Sequence, residues 1–170
     1  MMLTKRLPAT LVATLILAGA YFLGSEPNAK AQSEESHGGL EGTWRVTVTQ
    51  QDCQSGAPLG PPFQSLLTFG RGSTMSGTTA NTFFLPGQRS DDFGIWSQTK
   101  ARDYTGFSEA LIIFTGGRFT QGSQTIRHSI RLSADAAGFT DIASVQFYDA
   151  GGKPLTPVPG CATAIGQRLH

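Results

Sequence analysis

Between residues 40 and 51 the chain alternates: Trp44, Val46 and Val48 are apolar, while Thr43, Arg45, Thr47 and Thr49 between them are polar. A period of two with a single apolar face is what a strand buried on one side requires. Similar short runs recur down the chain, each cut off by glycine, proline or a polar turn. They predict further strands at residues 63–69, 73–79, 94–99, 104–115, 122–133, 139–148 and 160–169. The segment from 52 to 62 holds Gly56, Pro58, Gly60, Pro61 and Pro62 and must be a loop. Residues 80–93 form the longest irregular piece, in which Asp91 and Asp92, with Arg89, read as a solvated loop tip. No segment carries a helical period, so the chain reads as all-β.

Eight short strands divided by turns make either a sandwich or a barrel. An eight-stranded up-and-down barrel closes by pairing its first strand antiparallel with its last. In that pairing Cys53, just past strand one, falls beside Cys161 at the start of strand eight, and Trp44 falls beside Arg168 at the opposite rim. Two coincidences follow from one register, and closure also removes two exposed sheet edges. The expected fold is therefore an eight-stranded antiparallel up-and-down β-barrel, with Cys53 and Cys161 joined in one disulfide.

The first residues have a different character. Lys5 and Arg6 precede an apolar run over 11–23, and Ala29-Lys30-Ala31 supplies small residues around a cleavage site. That order predicts a secretory signal peptide over residues 1–31, a flexible lead-in over 32–39 and one barrel domain over 40–170. The apolar run is short for a membrane span, which takes roughly 20 residues. The expected location is outside the cytoplasm, periplasmic or extracellular, where a disulfide persists. Beyond residue 31 there are ten basic and eleven acidic side chains, so no basic field for nucleic acid exists. The two cysteines lack C-x-x-C spacing, and the three histidines lie at 37, 128 and 170, so no metal-ligand spacing is present and no cofactor is implied. Oligomeric state is not readable from the chain.

Gly42-x-Trp44 in the first strand, together with Arg168 late in the last, resembles the signature of the lipocalins and the wider calycin superfamily. The whole chain is also similar to secreted bacterial lipocalin-like proteins. The resemblance implies that Arg168 packs over Trp44 at the closed end of the barrel, making Gly42, Trp44 and Arg168 structural. No Thr-Asp-Tyr-type second motif is present.

His128 is the foremost candidate for chemistry, because it shares a strand face with Ile126, Ile130 and Leu132. With Tyr104, Ser108, Trp96 and Phe147 it forms the candidate cavity set: His128, Tyr104, Ser108, Trp96, Ile126, Ile130 and Phe147. On the strand over 104–115 both faces carry apolar groups, so Glu109 is either buried and paired with Arg127 or Arg131, or an ordinary surface charge. Phe83-Phe84-Leu85 is apolar where a loop is usually polar, and could gate the barrel mouth or cap the core.

Three functions are compatible with these residues. The first is a binding module holding a small apolar or amphipathic molecule, given room by Gly106, Ser108, Ala110, Ala143, Ala162 and Ala164. The second is a structural or interaction protein whose barrel is filled by its own side chains. The third is a calycin-type enzyme, such as a cyclase or isomerase. A hollow of roughly 300 Å³ or more points to binding. Catalysis requires His128 beside a carboxylate and open to the pocket. No catalytic residue is fixed by the sequence.

Overall fold

The computed structural model describes residues 39–115 and 119–170, so the expected signal peptide and nearly all of the lead-in lie outside the described residues. Eight strands form a closed barrel in chain order: β1 (Gly42–Gln51), β2 (Phe63–Gly70), β3 (Thr74–Thr79), β4 (Arg89–Gln98), β5 (Asp103–Thr115), β6 (Phe119–Leu132), β7 (Gly138–Asp149) and β8 (Gly160–Arg168). Neighbours pair antiparallel throughout, and no helix occurs among the described residues. The closing seam sets Trp44 opposite Arg168 and Gln51 opposite Cys161. Cys53 and Cys161 are disulfide-bonded, with their Cα atoms 5.2 Å apart.

The closed end is built by a cage around Trp44. Its indole is fully buried, donates its N–H to the Leu40 carbonyl at 2.9 Å and meets the Phe139 ring edge-on at 5.0 Å. The Arg168 guanidinium lies 4.1 Å from the indole centroid and donates to the carbonyls of Ala136, Glu41 and Gly39. Burial pulls the Arg168 pKa down from its ordinary value, and the nearby Tyr104 phenol works in the opposite direction. Those three carbonyls stitch the chain entry and the β6–β7 turn onto the end of β8, so one side chain closes the base. Gly42 belongs to the same construction. Its φ is +126°, and a Cβ there would stand 2.8 Å from an Arg168 terminal nitrogen, so any other residue is strained and would displace the cation. Phe69, Trp96 and Tyr104 continue the aromatic chain from Phe139 across the barrel floor.

The interior face of β5 is the one bearing small residues. Tyr104, Ser108, Ala110 and Ile112 are buried, while Leu111 is 67% exposed and Glu109 lies outside. Eight strands enclose little more room than side chains need, so small groups must face in. Arg131 pairs with Asp103, and Arg127 lies over the Phe107 ring at 5.1 Å, so neither expected partner of Glu109 is directed at it.

One expectation is overturned. β4 begins at Arg89 rather than near residue 94, and Asp92 is only 3% exposed, not part of a solvated tip. The cause is a bulge: Arg89 stands opposite Ile112 and Asp92 opposite Ala110, so three steps on β4 match two on β5. On a regular strand residues three apart face opposite sides. The inserted residue turns both side chains into the barrel.

Candidate functional site

Above the aromatic floor the barrel opens into a cavity of about 80 Å³. Its walls are Val46 and Val48 of β1, Phe63 and Leu67 of β2, Ile126 of β6, Ala143 and Val145 of β7, and Ala162 and Ala164 of β8. Polar residues Gln50, Ser65, Thr78, Thr79 and Asn81 share the lining, and two charged clusters sit among them. At one, His128 Nδ1 lies 2.7 Å from Asp141 Oδ2, and both side chains are almost fully buried. The other carboxylate oxygen of Asp141 accepts the Ser129 backbone N–H at 3.0 Å. A carboxylate can only accept, so the His128 proton sits on Nδ1 and Nε2 is left for another partner. At the second, Arg89 donates to Asp92 Oδ1 at 3.0 Å, to Gln124 Oε1 at 2.7 Å and to the Ser90 carbonyl at 3.0 Å. Each guanidinium nitrogen thereby makes one bond, and each terminal nitrogen keeps a second N–H.

Three buried side-chain atoms have no protein partner among the described residues: His128 Nε2, Asp92 Oδ2 and Ser108 Oγ. His128 and Asp92 line the cavity; Ser108 lies on the same interior face of β5 but not on the lining. An unmet buried donor or acceptor costs roughly 1–3 kcal/mol, and more for a charged one. Two of the three belong to side chains on the same small cavity.

The sequence-derived candidates divide. His128 and Ile126 line the cavity. Tyr104, Trp96 and Ile130 do not, because they belong to the packed floor with Trp44 and Phe69. Phe147 is at the mouth, where its ring lies 6.3 Å from that of Phe84. Phe84 is the member of the Phe83-Phe84-Leu85 triplet that turns inward and joins the cavity wall, whereas Phe83 and Leu85 point to solvent. Sequence reasoning missed Asp141, Arg89, Asp92 and Gln124 as site residues. Asp141 carried a signal, since it shares the parity of Ala143, Val145 and Phe147 and had to face inward with them.

The chain matches no protein-family model, no curated protein and no solved structure with which it was compared. No helix among the described residues is long and apolar enough to cross a membrane, and no group of three potential metal-binding side chains occurs among them.

Proposed function

We propose that this protein is an exported, lipocalin-like barrel that binds one small amphipathic molecule in the open half of its interior. The observation that carries the reading is an apolar cavity lined by His128 and Asp92, whose Nε2 and Oδ2 are buried without protein partners. The disulfide is compatible with export. At about 80 Å³ the cavity falls short of the roughly 300 Å³ hollow expected above of a binding barrel, which confines any guest to a very small molecule. One water occupies about 10–15 Å³ on this measure, so the space suits a guest displacing on the order of five to eight waters. A filled barrel is the poorer description, since a core packed for its own sake leaves no charged acceptor unmet. Native mass spectrometry of the protein recovered from its own compartment is expected to reveal a retained small molecule, lost in His128→Ala. A bare wild-type mass, with no adduct in gentle conditions, counts against the reading.

A second reading rests on one observation, the Asp141–His128 pair open to the cavity. A carboxylate that fixes Nδ1–H orients Nε2 as a general base. If the guest is transformed by proton removal and return, wild-type protein in deuterium oxide will label the guest at carbon and His128→Ala will not. An unlabelled guest recovered from wild type leaves binding alone.

A further inference from the structure

We infer that the cavity selects a ligand whose polar head is a protonated amine; the inference rests on the binding function proposed above and names its ligand class. The charged and titratable groups lining the cavity are Arg89, Asp92, His128 and Asp141. Two are carboxylates and one is a guanidinium, so acidic side chains outnumber the permanent cation by one. The guanidinium already meets the protein through each of its nitrogens. Arg89 gives Nε to Gln124, one terminal nitrogen to Ser90 and the other to Asp92. His128 gives Nδ1–H to Asp141, and in the neutral ring this leaves a lone pair on Nε2. Both atoms without protein partners on the lining are then acceptors, one belonging to an anion.

That arrangement discriminates among head groups. A carboxylate or phosphate would meet two carboxylates against one guanidinium already paired with Asp92. A ketone or ester brings only acceptors and leaves Asp92 Oδ2 unmet. An alcohol can donate once and supplies no charge. An ammonium brings up to three donors and a positive charge, and hydrogen bonds between ionised partners are about twice as strong as neutral ones. The apolar body of the ligand would lie on Val46, Val48, Ile126 and Val145, with Phe84 at its exposed end. Length is then limited by the cavity and charge by its polar groups.

The test is a titration of the full chain with three probes of one shape, n-butylamine, 1-butanol and butanoate, followed by NMR at the His128 ring and at the Val48 and Ile126 methyls. Butylamine is expected to bind at least tenfold more tightly than either other probe. In Asp92→Asn that preference should fall below threefold while butanol binding persists. Should Asp92→Asn not fold, the wild-type series decides alone. Equal or tighter binding of butanol or butanoate overturns the amine assignment and leaves the cavity function standing. Shifts from none of the three, up to the limit of solubility, overturn both.

Discussion

Trp44→Ala will cost the barrel roughly 3–5 kcal/mol, the upper range for truncating a large core aromatic. Urea denaturation followed by tyrosine or far-ultraviolet signals will read it as a fall in midpoint. The indole is wholly buried, and it holds three elements at once: the Leu40 carbonyl, the Phe139 ring and the Arg168 cation. Removing it leaves the Leu40 carbonyl without its donor and Arg168 over a void. Domains of this size hold only about 5–15 kcal/mol in total, so the variant will sit near the edge of folding. Trp44→Phe separates the contributions. It keeps a ring beside Phe139 and beneath the guanidinium but loses the N–H, so a smaller loss of roughly 1–2 kcal/mol is expected. A loss under about 1 kcal/mol in Trp44→Ala would mean that the base of the barrel is held by Arg168 and its carbonyls without the indole.

How much of this is legible in the chain depends on where its period of two survives. Along β1 and β6 it is unbroken, and on β7 and β8 it falters at Asp141, Ile142, Gln146 and Ile165, so most inward residues, the closing register and the disulfide follow from alternation and two matched spacings. His128 can be placed inside because Ile126, Ile130 and Leu132 share its parity. On β5 alternation does not separate the two faces, since Phe107, Leu111 and Ile113 outside are as apolar as Tyr104 and Ile112 inside. The choice lies in volume, not hydropathy: Gly106, Ser108 and Ala110 fit between opposing walls and larger groups do not. A Cβ at Gly106 would already stand 3.1 Å from the Met75 sulfur and 3.3 Å from His128 Cβ.

At Arg89 and Asp92 the period fails outright. Charged residues three apart beside glycine and proline have every mark of a solvent loop, and only the bulge opposite Ala110 and Ile112 reverses that. A bulge is set by how two strands fit, which a single strand's sequence does not encode. The one cluster that gives the cavity its charge is thus the one the sequence conceals. This is where local rules are expected to break, because a buried ion pair with an unmet oxygen is a cost to folding that a packed core would avoid.

Replacing both cysteines by serine will lower stability by roughly 2–4 kcal/mol, and its effect will be felt at the mouth. The bridge spans 108 residues of sequence, for which loop entropy alone sets an upper figure near ~4.7 kcal/mol. It stands beside the Gln51–Cys161 end of the β1–β8 seam, while Trp44 and Arg168 fasten the other end. Without the bridge, hydrogen exchange should quicken at residues 49–51 and 161–163 and remain slow from 44 to 46 and at 166–168. Gln50, Val48, Ala162 and Ala164 line the cavity along this same seam. Loosening it should therefore weaken butylamine binding several-fold even in conditions where the protein stays folded, and the m-value should rise as the unfolded chain loses its tether. Uniform acceleration of exchange along the seam would show that closure is a single cooperative event to which both rims contribute alike. Loss confined to the mouth, accompanied by weakened binding, would make the disulfide part of the site as well as of the fold.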